Sequence, residues 1–122
     1  MSDWNFFLAK RLLREFERSK LRFIHSLEDL DLVWTIGYGQ CIGKPVGMKE
    51  LSTGEFGAPK TVQRRLERLR RLGIVEQGPS DGDGRRIQLY LSPATLQRLE
   101  EYKAFIVKNG MESRDPRLRR SA

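Results

Sequence analysis

Apolar residues in the first 27 positions follow a helical spacing. Between Trp4 and Leu27 they recur three, four or seven residues apart, with charged residues between them and no Gly or Pro. This spacing predicts an amphipathic helix over residues 4–27, within an N-terminal segment 1–27. Phe6 and Phe7 add apolar side chains near its start. These side chains either pack on the rest of the domain or are buried against another chain, and because so much apolar area lies at one terminus we expect the second.

A second helix is predicted directly after the first. Ser26 is a suitable N-cap, and Glu28 and Asp29 place negative charge in the first turn, where it stabilises the helix dipole. Three glycines between residues 37 and 43 weaken the helix, at about 1 kcal/mol each relative to Ala. Pro45 ends it.

The middle of the chain predicts a short helix, a turn and a longer basic helix. Residues 47–51 form the short helix and residues 54–58 the turn. Pro59 suits the first position of the long helix, which runs to Leu72 and stops at Gly73. Its predicted core stripe comprises Val62, Leu66, Leu69 and Leu72.

A β-hairpin and a last helix follow. Residues 74–77 form one strand and residues 87–91, which alternate apolar and polar, form the other. The loop between them, 78–84, is dense in Gly, Asp, Ser and Pro. Ser92 and Pro93 then begin a helix that ends at Asn109, and its apolar stripe comprises Leu96, Leu99, Tyr102 and Ile106.

The 122 residues are enough for one domain, predicted over 1–109. Its class is mainly α with a small β-hairpin. Within it we separate the N-terminal helix (1–27), a central part with the short helix, the basic helix and the hairpin (46–91), and the C-terminal helix (92–109). The polar, basic remainder, 110–122, is predicted to be disordered.

Charge points to a polyanion partner. Lys and Arg number 23 against 16 Asp and Glu, a net charge of +7. The single Cys excludes an intramolecular disulfide, and one Cys with one His cannot make a zinc site of the usual kind. We find no signal peptide, membrane segment, P-loop, catalytic triad or paired carboxylates, so we expect a cytoplasmic protein without enzymatic activity, metal or cofactor.

The basic helix is the best candidate for function. Its leucine stripe leaves the opposite face to guanidinium and amide groups, which are the groups that read base edges: Arg pairs with guanine and Gln with adenine. A helix of this width fits the major groove of B-DNA. The candidate DNA-binding residues on it are Lys60, Thr61, Gln63, Arg64, Arg68 and Arg71. The alternative is a solvated charged face without a ligand.

Several segments resemble the MarR family of bacterial transcription regulators. Residues 59–64 are similar to the start of its recognition helix, and residues 69–76 to the end of that helix and the first wing strand. Asp83-Gly84-Arg85 matches its D-x-R wing tip, and Leu91-Ser92-Pro93 its L-T-P sequence. The resemblance covers about half of the chain, from Leu51 to Leu99. The last helix is short for the family, and the glycine-rich stretch 37–43 is atypical.

The resemblance implies a winged helix-turn-helix extended by N- and C-terminal dimerisation helices. It implies a homodimeric repressor that binds double-stranded DNA at a pseudo-palindromic operator, with Arg85 and Arg86 of the wing in the minor groove. Two alternatives remain: a winged-helix protein-interaction module, and a plasmid or phage replication-control protein. Any small-molecule effector is unknown.

Four further residues have structural and functional interpretations. A redox-sensing Cys41 is less expected than a buried, inert thiol, since Lys44 is the only cation near it in sequence. Trp34 and Tyr38 are expected in the core, with an aromatic ligand pocket as the alternative. A packing or capping role is expected for His25.

Overall fold

The computed structural model describes residues 4–80 and 83–109, without the side chains of Trp4, Pro79, Ser80 and residues 83–86. The predicted class is confirmed: the described residues are mainly helical, with one antiparallel hairpin. In chain order the elements are α1 (Trp4–Lys20), α2 (Leu27–Cys41), α3 (Met48–Leu51), α4 (Pro59–Arg71), β1 (Val75–Ser80), β2 (Asp83–Leu91) and α5 (Pro93–Lys108). No helix in this described part is long and apolar enough to cross a membrane.

The chain divides into two compact units. Unit 1 contains residues 4–22 and 97–109, and unit 2 contains Phe23–Leu96. The domain bounds drawn from the sequence stay a prediction, and the predicted tail, 110–122, lies outside the described residues.

Unit 1 is held by an aromatic and polar cluster between α1 and α5. The ring of Phe16 lies 5.2 Å from that of Tyr102 and 5.0 Å from that of Phe105. The Tyr102 hydroxyl donates to Glu17 Oε2 at 2.7 Å, while Arg14 donates to the other carboxylate oxygen. Burial, and then the bond to Glu17, raise the pKa of Tyr102, so the phenol stays a neutral donor.

The same unit exposes much apolar surface. Phe6, Phe7 and Leu8 near the start of α1 are 48%, 62% and 43% exposed, and Val107 near the end of α5 is 57% exposed. Ala9 and Glu17 are the buried side chains of α1, among those described. Amphipathic helices of this kind bury their apolar stripe against another element.

The first helix ends seven residues before its predicted end. The structure stops α1 at Lys20 and begins α2 at Leu27. The predicted N-cap explains the difference: Ser26 Oγ accepts from the backbone N–H of Asp29, and the Asp29 carboxylate accepts from the backbone N–H groups of Ser26 and His25. This capping box requires extended backbone at Ser26, so one helix cannot run through it. The prediction of a helix reaching Leu27 was wrong.

α2 passes through two of the glycines that weaken its propensity. A Cβ at Gly39 would lie 2.7 Å from the carbonyl oxygen of Lys44, and one at Gly37 would lie 3.0 Å from Leu91 Cδ1. Both glycines therefore allow close approach of neighbouring chain, and this packing offsets their low helix propensity.

The hairpin is longer than predicted. β1 continues to Ser80 and β2 begins at Asp83, so strand backbone replaces most of the predicted loop 78–84. The antiparallel register pairs Val75 with Leu91 and shifts between Pro79 and Ser80.

β2 is also bonded along its other edge. The Leu89 N–H donates to the Val46 carbonyl at 2.8 Å, and the Leu91 N–H donates to Gln40 Oε1 at 2.8 Å. α2 packs on β2, α4 on β1, and α3 on both α4 and β2. The buried apolar residues of unit 2 include Leu32, Val33, Ile36, Leu51, Val62, Leu66, Leu69, Val75, Leu89 and Leu91. This core fixes α4 with one side inward.

Candidate nucleic-acid interface

α4 separates a buried from an exposed side, as its periodicity predicts. Val62, Leu66 and Leu69 are at most 2% exposed. The fourth residue of the predicted stripe differs: Leu72 follows the last turn and is 55% exposed. We call the exposed side the open face of α4; it comprises Lys60, Gln63, Arg64, Glu67 and Arg71.

The open face carries a surplus of positive charge. Lys60, Arg64 and Arg71 have no ion-pair partner among the side chains that the structure describes. Glu67 is the acid on this face, and Arg70 beside it donates to both carboxylate oxygens, the shorter distance being 2.9 Å. Since Arg70 neutralises Glu67, the three remaining cations set the charge of the face.

The N-terminus of α4 has no side-chain cap. Its N-cap is Ala58, which offers no acceptor, and Pro59 has no N–H. The first helical bond runs from the Val62 N–H to the Ala58 carbonyl. The backbone N–H groups of Lys60 and Thr61 therefore have no capping side chain, and the positive end of the helix dipole favours an anion there.

The connection into α4 needs glycine at two positions. Gly54 and Gly57 have φ values of 102° and 118°, in the region that other residues rarely adopt. They turn the chain between α3 and α4. The order helix, glycine turn, helix with an exposed basic side is that of a helix-turn-helix.

Arg68 is not on the open face. Its Nη2 donates to the Phe23 carbonyl at 2.6 Å and to Asp29 Oδ2 at 3.1 Å, and its Nη1 lies 3.4 Å from His25 Nε2. The side chain is 23% exposed and that of Asp29 only 2%. These bonds hold the guanidinium within the protein, and the contact between Arg68 and DNA stays a prediction. Thr61, another predicted contact, is half-buried at the edge of the face.

The predicted wing is the β1–β2 hairpin. Arg85 and Arg86 belong to β2, next to the register shift, and their side chains lie outside those described. Ile87, which follows them, is 57% exposed.

Three other residues lie differently from the expectation. Cys41 is exposed at the end of α2, so the expected burial of its thiol was wrong. Trp34 and Tyr38, one turn apart on α2, are 42% and 69% exposed, so they are not core residues. In the described part of the chain no three His, Cys, Asp or Glu side chains are grouped as metal ligands would be.

Sequence reasoning missed two ion pairs that involve residues of α4. The Glu67–Arg70 pair has the i, i+3 spacing typical of helix ion pairs, so the spacing itself was a usable signal. Asp29 lies 39 residues before Arg68. No local pattern connects them, although an acid at the N3 position of a capping box was visible.

Comparison with known proteins shows the fold. No family model and no curated protein matches the sequence. Among solved structures, a selenomethionine form of a MepR mutant from S. aureus matches with a TM-score of 0.65, at 15% identity over 93% of this chain and 79% of that chain. The MarR family transcription regulator SP03579 matches with a TM-score of 0.52, at 17% identity over 87% and 68%.

The chain has the winged helix-turn-helix fold of the MarR regulators. The transcriptional regulator Tm0710 from Thermotoga maritima shares this MarR-like fold, with a TM-score of 0.55 and 21% identity over 88% of this chain and 82% of that one. In the MarR-like fold, α3 and α4 form the helix-turn-helix and β1 and β2 form the wing.

Proposed function

We propose that this protein is a sequence-specific regulator that binds double-stranded DNA. The open face of α4 carries the proposal, since it presents an amide and three cations that have no ion-pair partner among the described side chains, on a helix whose other side is buried. Gln63 and Arg64 lie near its N-terminal end, where recognition helices contact base edges. A MepR mutant with a similar fold is bound to an oligodeoxyribonucleotide, with a TM-score of 0.51 and 16% identity.

Each group on α4 has a proposed role. Gln63 and Arg64 contact bases, which gives specificity, whereas Lys60 and Arg71 contact phosphates, which gives affinity. The uncapped N–H groups at the start of α4 donate hydrogen bonds to one phosphate oxygen. Arg85 and Arg86 of the wing contact the neighbouring minor groove, with Asp83 orienting Arg85.

The proposed active form is a homodimer. The apolar side chains exposed on unit 1 support it, because Phe6, Phe7 and Val107 are each about half exposed or more on helices that otherwise have an amphipathic pattern. A twofold dimer would present two copies of α4 to half-sites about one helical turn apart. The proposed mode of action is repression, in which the dimer covers its operator.

Selection from a random duplex pool tests the proposal with the full chain. We expect the enriched sequences to contain two inverted half-sites, centred about 10 base pairs apart. A single half-site would contradict the dimer but not DNA binding. If no duplex is retained even at low salt, DNA binding is refuted, and a protein-interaction module with an acidic partner becomes the better hypothesis.

A further inference from the structure

Arg68 joins α4 to the segment that leads into α2. Its guanidinium donates to the Phe23 carbonyl at 2.6 Å and to Asp29 Oδ2 at 3.1 Å. Phe23 and Asp29 lie on either side of the extended Ser26, so one side chain binds both ends of this turn. The planar fork of arginine fixes its partners in direction as well as distance.

Asp29 depends on this cation. Its Oδ2 also accepts from the N–H groups of His25 and Ser26, at 2.8 and 3.1 Å. Its Oδ1 is buried and has no hydrogen-bond partner among the described residues. A carboxylate that is 2% exposed needs a compensating charge, and Arg68 is its ion-pair partner in the described part of the chain. Removing either group leaves the other uncompensated.

The position of Arg68 on α4 gives these bonds a functional consequence. Arg68 lies one turn after Arg64 and three residues before Arg71, both on the open face. The leucines on the buried side hold α4 by packing, which has little directional preference. Charged hydrogen bonds at a fixed angle restrict rotation of the helix about its axis far more.

We propose that Arg68 is a positioning residue that fixes the rotation of α4, and that Asp29 acts through it. The inference rests on the proposed function, since the groups that are positioned are the DNA-contacting side chains of the open face. Arg68 itself contacts no phosphate.

The test compares four variants on a duplex that the wild type binds. Asp29→Asn and Arg68→Gln each remove one charge of the pair, and the double variant removes both. Arg98→Gln is the control, because it removes one exposed cation that lies outside the open face of α4. Dissociation constants are measured over a salt series, at a temperature at which circular dichroism shows every variant folded.

We expect Arg68→Gln to weaken binding about tenfold with an unchanged salt slope. Asp29→Asn should do the same, although loss of an acid by itself would strengthen DNA binding. The double variant should bind no worse than either single variant, and Arg98→Gln should bind within about threefold of the wild type. If Arg68→Gln does not fold, Arg68→Lys replaces it, because Lys keeps the charge but loses the fork.

Different results would overturn the inference. A phosphate contact predicts that Arg68→Gln reduces the salt slope by about 0.9 per subunit, that Arg68→Lys binds like the wild type, and that Asp29→Asn binds at least as tightly. Any of these three results removes the positioning role.

Urea unfolding separates this inference from the proposed function. If Asp29 and Arg68 are coupled, the fold-change in the unfolding equilibrium constant of the double variant will differ at least tenfold from the product of the two single-variant fold-changes. Additive effects refute the coupling whether or not DNA binds. Wild-type protein that binds no duplex refutes the proposed function, and the unfolding cycle still decides whether Arg68 holds α4.

Discussion

Replacing Lys60 by Gln should make the salt dependence of DNA binding shallower, and the size of this change depends on how many subunits contact the DNA. Lys60 and Arg71 are the cations of the open face assigned to phosphates, which makes two per subunit and four per dimer. Each cation that neutralises a phosphate adds about 0.9 to the slope of log K against log salt. If all four do so, they give a slope of about −3.6 and an affinity loss of about 10²-fold between roughly 50 and 200 mM salt.

Lys60→Gln removes two of these cations from a dimer. We therefore expect a slope shallower by about 1.8, against about 0.9 for a monomer on DNA. Fluorescence anisotropy of a labelled duplex, titrated at five or more salt concentrations, measures both slopes. The side chain is exposed on the first turn of α4, so the unfolding free energy should change little.

Arg98→Gln is the control for net charge. Arg98 is an exposed cation of unit 1 that lies outside the proposed DNA interface, and its loss changes the total charge by the same amount. An equal drop in slope for both variants would mean that total charge, not the open face, attracts DNA. A wild-type slope shallower than about −2 would refute the assignment of α4 cations to phosphates.

Three further predictions address specificity, the start of α4 and assembly. Arg64→Ala should lose about 1–3 kcal/mol of discrimination at one base pair per half-site, which repeated selection with the variant measures; an unchanged consensus would contradict base contact. Ala58→Ser should cap α4 and raise the unfolding free energy by about 0.5–1 kcal/mol in urea titrations. Ala58→Asp should also cap the helix, but it should weaken DNA binding because its carboxylate repels phosphate. Tighter DNA binding by Ala58→Asp would argue against a phosphate at this position. Phe7→Glu should raise the dimer dissociation constant at least ~100-fold in sedimentation velocity, since each of the two copies loses about 1.5–3 kcal/mol of apolar burial. Phe7→Leu should stay dimeric. A Phe7→Glu variant that is still dimeric would exclude this part of α1 from the interface.

The local parts of the fold were predictable because their signals are local. Pro59, the leucine stripe and Gly73 locate α4 to within one residue of its observed end. Ser26 correctly marks the start of α2, and the same signal should have ended the first helix, because a residue cannot be both helical and an extended N-cap.

Some side chains take positions that depend on contacts between distant parts of the chain. Periodicity places Arg68 at the edge of the open face, but only the fold brings Asp29 next to it and turns its guanidinium inward. Trp34 and Tyr38 are apolar enough for a core, yet both side chains are exposed on α2. Hydrophobicity indicates that a side chain favours burial, and the fold decides how much of it is covered.

The hydrogen bonds along both edges of β2 show which residues of the hairpin can be replaced without disturbing the fold. Two-stranded ribbons by themselves are marginal in water, but here β2 from Ile87 onward is held by β1 on one edge and by the chain around Val46 on the other. Gly78 also fits against the Tyr90 ring with no room for a Cβ. A chimaera that imports a foreign tip should therefore keep Gly78 and residues 87–91, and graft only what lies between them.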